Sequence, residues 1–92
     1  MAPDAVRQFK RLSAAERSRL KEAIKASLGE DDATIPNNNR FPLRRPSVYA
    51  VFEFRVGELR VFYQVAGDEV RVTLIGRKKA NQLLVDGRRF NL

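Results

Sequence analysis

The sequence predicts an α+β fold: an N-terminal helical hairpin packed on one face of a three- to four-stranded antiparallel β-meander, with a short C-terminal hairpin. Three observations lead there. Apolar residues recur at helical spacing over the first 28 residues, they alternate at strand spacing from Val48 onward, and the alternating runs are broken by two-residue turns containing glycine.

Pro3 suits the first turn of a helix, Asp4 complements its positive end, and Ala5, Val6, Phe9 and Leu12 form its apolar stripe. Ser13 and Glu16 make an S-x-x-E capping box, which ends this helix and starts a second. There Leu20, Ala23, Ile24 and Leu28 share a stripe, and Gly29 is placed to stop the helix. Residues 30–47 contain three prolines and three consecutive asparagines, which disfavour helix and central strand. They read as an ordered connector, or as one anchored over the core by Phe41 and Leu43. Residues 48–56, 59–66 and 69–76 read as strands joined by Gly57-Glu58 and Gly67-Asp68. A helical or turn segment around 77–82 then leads to Leu83–Val85 and Arg88–Phe90, which flank Asp86-Gly87 as a terminal hairpin.

Ninety-two residues, 43% hydrophobic and 32% charged, match one globular domain spanning 1–92. Cysteine and histidine are absent, which excludes disulfides, thiolate nucleophiles, imidazole bases and the commonest metal ligands. Neither a metal nor a cofactor is expected. No apolar run approaches the roughly 20 residues of a membrane span, and the start MAPDAVRQFKRL lacks the apolar core of a signal peptide, so a cytoplasmic location without a membrane partner is expected. The net charge of +7 is uneven: residues 1–40 carry 8 basic and 6 acidic side chains, residues 41–92 carry 10 and 5. Such a field attracts polyanions, making nucleic acid or the ribosome the first partner to consider and an acidic protein the second.

Counting outward from Gly57-Glu58 pairs Val56 with Leu59, Arg55 with Arg60, Phe54 with Val61, Glu53 with Phe62 and Phe52 with Tyr63. Ala50, Phe52, Phe54, Val56, Leu59, Val61, Tyr63 and Val65 then share one face, which the second turn extends with Val70, Val72 and Leu74. This is the face expected under the helices. The opposite face collects Tyr49, Val51, Glu53 and Arg55, then Arg60, Phe62 and Gln64, then Arg71, Thr73, Ile75 and Arg77. Regular pairing sets Arg60 opposite Ile75, so Arg55, Arg60 and Arg77 converge at one corner, followed by Lys78 and Lys79. Like charges facing each other in a sheet are relieved by an anion, and phosphate is the natural one. The apolar residues on that face read equally as a partner surface or as ground covered by the connector or terminal hairpin.

Two amphipathic helices, a proline-containing connector and the stretch FEFRVGELRVFYQVAGDEVRVTLIGRKK resemble the RelE/ParE superfamily of type II toxins, with Arg55–Arg77 as the specific part. The resemblance implies a toxin that inhibits translation by ribosome-dependent, metal-independent cleavage of mRNA and is neutralised by a cognate antitoxin. It implies that Arg60 and Arg77, with Arg55 beside them, stabilise the pentacoordinate phosphate, that Lys78 or Lys79 donates a proton, and that Glu53 is the nearby carboxylate able to act as base. A salt bridge to arginine is the simpler role for Glu53. Arg55, Arg60, Arg71, Arg77, Lys78 and Lys79 make up the expected RNA-binding set.

Departures from the family pattern point to an alternative. Val51 and Glu53 stand where family nucleases often have lysines, and Leu83 stands where they have tyrosine or histidine. These favour a member without cleavage, either a ParE-type inhibitor of DNA gyrase or a nucleic-acid-binding module. A stand-alone ribosome-associated protein is the third reading. The family's usual leading strand is missing ahead of the first helix, so a sheet edge is left open for an antitoxin strand or filled by the Leu83–Phe90 hairpin.

Overall fold

The protein is described by a computed structural model covering residues 1–29, 32–43 and 50–90. Tyr49 and the start of the first expected strand lie outside these residues. Helix α1 (Pro3–Lys10) and helix α2 (Ala14–Ile24) pack on one face of a six-stranded antiparallel sheet. The strands are β1 (Arg40–Pro42), β2 (Phe52–Val56), β3 (Leu59–Ala66), β4 (Glu69–Lys79), β5 (Gln82–Val85) and β6 (Arg88–Arg89), paired in chain order. The α+β class therefore holds, with more strands than the meander expected from sequence. Among the described residues no helix is long and apolar enough to cross a membrane.

The capping box forms as the sequence requires: the Ser13 hydroxyl accepts from the Glu16 amide, and the Glu16 carboxylate accepts from the Ser13 amide. Helix α2 runs into a π-helical turn, Lys25–Gly29, whose Ser27 carbonyl accepts from the buried Arg40 guanidinium. The α1 stripe is rotated from its expected position. Ala5 and Gln8 are buried and Phe9 and Leu12 pack on the core, but Val6 faces solvent.

The connector supplies β1, which pairs Arg40 with Phe54 and Pro42 with Phe52. Its residue Phe41 lies under the Arg55 guanidinium at 4.4 Å, and Leu43 packs on the far face of the sheet. Residues 77–79, expected in a helix or turn, continue β4 instead, and the chain reverses at Ala80-Asn81.

Pairing of β2 with β3 follows the sequence register at all five positions, from Phe52 with Tyr63 to Val56 with Leu59. Between β3 and β4 the register shifts. Tyr63 pairs with Val72 but Phe62 pairs with Leu74, leaving Thr73 as the extra residue of a β-bulge; its hydroxyl donates to the Phe62 carbonyl at 3.1 Å.

One inserted residue exchanges the faces of everything beyond it. Leu74, expected under the helices, turns outward; Ile75, expected outward, enters the helix-side core with Leu20, Leu59, Val61 and Tyr63. Leu74 joins Phe62, Ala50 and Val85 in a second apolar cluster on the outer face, with Leu43, Leu83 and Phe90 packed against it. Phe62 and Leu74 are thus covered on that face, with Leu43 of the connector and Phe90 of the terminal hairpin packed against them.

Ion pairs fasten the helices to the sheet. Arg77 bridges Glu16 of α2, at 2.7 Å, and Glu58 of the β2–β3 turn. Asp86 in the β5–β6 turn accepts from Arg7 at 2.6 Å. The Ser13 amide, and then Arg77, hold the Glu16 carboxyl below its ordinary pKa, and Arg7 does the same for Asp86. A carboxyl whose pKa is depressed by folding contributes stability that is full above its unfolded value and lost as pH falls through the folded one. The melting temperature is therefore expected to hold from pH 7 down to about 5 and then fall through the acid range. In Glu16→Gln the acid fall should be shallower; equal slopes in both proteins would show that these pairs do not govern it.

Candidate nucleic-acid interface

The end of the sheet carrying the Gly57-Glu58 turn holds most of the predicted site residues, divided between its two faces. Arg55 and Arg60 are paired on the outer face, as expected. Arg60 pairs onward with Gly76 rather than Ile75, and Arg77 pairs with Leu59, on the helix side. The three-arginine corner read from the sequence is therefore not formed. Two carboxylates occupy Arg77, and the Glu16 hydrogen bond is the largest influence raising its pKa, with burial opposing it.

The bulge substitutes Lys78 for Arg77. Lys78 follows Gly76 by two residues and so shares the outer face with Arg60, while its amide donates to the Glu58 carbonyl at 2.7 Å. Its side chain is exposed, and it makes no ion pair with a described residue. Lys79 points to the helix side, where it and Arg77 line the same cleft. Arg71 is on the outer face, opposite Gln64, but near the Gly67-Asp68 turn, about 20 Å along β4 from Lys78 at roughly 3.3 Å per residue. Of the expected RNA-binding set, the fold gathers Arg55, Arg60 and Lys78.

Within this corner the groups differ in availability. The Arg60 side chain is only 12% exposed. It turns back to donate to the Gly57 and Leu59 carbonyls at 2.8 and 2.9 Å, bracing the turn. Burial pulls its pKa below the ordinary arginine value, opposed by Glu53 and reinforced by Arg55. Arg55, stacked on Phe41, is the more exposed guanidinium. The Glu53 carboxylate lies 3.5 Å from Arg55 and 3.4 Å from Arg60, so it serves as counter-ion to both. Among the described residues no group of three or more acidic side chains could hold a metal ion. The corner can thus grip an anion by charge and hydrogen bonds from Arg55 and Lys78, on a scaffold that Arg60 keeps in place.

No protein-family model, curated protein or solved structure matches the chain.

The helix side of the same sheet end contains a feature that the sequence reading missed. An open cleft of about 370 Å³ lies between the C-terminal turn of α1 and the β4–β5 hairpin. Leu12, Leu59, Ile75 and Leu84 form its apolar lining, and Arg11, Arg77, Lys79 and Asp86 its charged rim. Next to it Arg7, Arg88 and Arg89 line a second groove with Asp4 and Asp86. The signal in the sequence is Arg7 and Arg11, four residues apart and hence on one side of α1.

Proposed function

We propose that this chain is a RelE/ParE-type toxin that acts on RNA, gripping a phosphate at the outer-face corner with Arg55 and Lys78 over a turn braced by Arg60. The carrying observation is that Lys78, tied through its amide to Glu58, shares both face and sheet end with the two arginines. The excess of basic charge in the second half of the chain supports it. On this reading the targets are the ribosome and its mRNA in the cytoplasm, and the neutralising partner is a small acidic antitoxin.

Cleavage without a metal needs the 2′-hydroxyl to attack the adjacent phosphorus while the 5′-oxygen leaves. Arg55 and Lys78 would stabilise the charge growing on the phosphoryl oxygens, and Lys78 would protonate the leaving oxygen. A second reading, binding without cleavage, is favoured by one observation: Glu53, the carboxylate proposed as base, is engaged by two guanidiniums. Inhibition of gyrase belongs with that second reading.

Primer extension on translated mRNA tests the proposal. Cuts should fall at least about tenfold, near 1.4 kcal/mol of transition-state stabilisation, in both Arg55→Ala and Lys78→Ala. Arg77→Ala should keep cutting and lose thermal stability instead. Cuts abolished by Arg77→Ala but indifferent to Lys78 would overturn the corner. RNA that is bound but never cut would select the second reading, and gyrase trapped on DNA with no RNA bound would overturn action on RNA.

A further inference from the structure

We infer that the cleft between α1 and the β4–β5 hairpin receives one nucleobase of a single-stranded RNA, with the neighbouring phosphates on Arg11 and Lys79. This rests on the RNA reading above and adds a second contact on the opposite face of the sheet. The lining is aliphatic and the rim carries three cations, Arg11, Arg77 and Lys79, against the one carboxylate of Asp86, so the fitting occupant has an apolar body and a negatively charged backbone. Its volume of about 370 Å³ falls in the range of small-molecule sites.

The rim charges are not equally free. Arg77 is taken by Glu16 and Glu58, whereas Lys79 makes no ion pair with a described residue, and Arg11, 65% exposed, reaches Asp86 only at 3.5 Å. Lys79 and Arg11 are therefore the phosphate ligands, each able to release counterions on binding. A peptide is a poorer occupant, because the strand edge beneath the cleft is already used. Arg77 pairs with Leu84, and the Ile75 amide donates to the Gln8 side chain at 2.6 Å. An incoming strand would find those main-chain groups satisfied.

Chain geometry connects the cleft to the corner. Lys78 and Lys79 are consecutive residues of β4 that point to opposite faces, directly before the reversal at Ala80-Asn81. An RNA strand bent over this hairpin tip meets Lys78 on one side and Lys79 on the other, so one phosphate lies at the corner while a nearby base enters the cleft.

The test titrates methyl- and amide-labelled protein with a mixed-sequence RNA hexamer and with an abasic hexamer carrying the same phosphates. Methyl signals of Leu12, Ile75 and Leu84 should move with the RNA and stay in place with the abasic strand, while amides of Arg55 and Lys78 move with both. By fluorescence anisotropy, Lys79→Ala should weaken RNA binding about fivefold at low salt and reduce the salt slope by about 0.7, the value for one phosphate on a single strand. Shifts confined to Arg55 and Lys78 would overturn the cleft and leave the RNA reading standing. Methyl shifts equal for both strands, or produced instead by an acidic peptide, would overturn the nucleobase. Absence of any shift would remove both proposals.

Discussion

Gly76→Val is expected to lower stability by about 3 kcal/mol, seen as a fall in melting temperature of about 12–24 °C for a domain of this size. A Cβ at Gly76 would stand 2.8 Å from the Leu84 carbonyl oxygen, 3.0 Å from Leu83 Cδ1 and 3.1 Å from Val85 Cγ2. The two side chains can rotate away, but the carbonyl belongs to a strand held by its pairing with Arg77–Lys79. Relief requires β5 to move off β4, which opens the outer cluster around Val85 and Phe62. Alanine, with the same Cβ and nothing beyond it, should cost less. A valine variant that melts with the wild type would show that β5 does not approach β4 as described.

Gln8→Leu is expected to cost about 2 kcal/mol, although leucine is similar in size and more apolar. Gln8 is 5% exposed, and its carboxamide oxygen accepts from the Ile75 amide, at a point on β4 that β5 no longer reaches. Leucine would leave that amide buried without an acceptor, and an unmet donor carries its full desolvation penalty. Amide exchange reads this directly: Ile75 should be protected in the wild type and lose protection selectively in the variant. Unchanged exchange together with an unchanged melting temperature would mean that another group accepts from Ile75.

The helices, the three turns and the β2–β3 register were legible because each has a local cause. Ser13 and Glu16 close a capping box within one turn, and Gly57 and Gly67 adopt positive φ at the first position of their turns. The bulge was not legible, and it decides the site. Regular alternation fixes a register when only one face is buried, but here both faces bury apolar residues, Phe54 and Val61 on one side and Phe62 and Leu74 on the other. Either register therefore buries an apolar side chain from the Leu74-Ile75 pair on each face. The adjacency of those two residues after strict alternation at Val70 and Val72 is the trace that the bulge leaves in the sequence. Arg77 was consequently assigned to the wrong face, Lys78 became its replacement at the corner, and the cleft formed by α1 needed tertiary contacts between residues more than sixty positions apart.

Strand order coincides with chain order throughout the sheet, so every β-pairing is closed by a connection between sequence neighbours. Loop-closure entropy is then small at each step, and the sheet can assemble by successive addition of hairpins. The helices must come back across the chain, α1 to place the Ala2 amide on the Val72 carbonyl and Arg7 on Asp86, and α2 to place Glu16 on Arg77. Their docking closes the longest loops in the fold and so carries its largest loop-closure entropy.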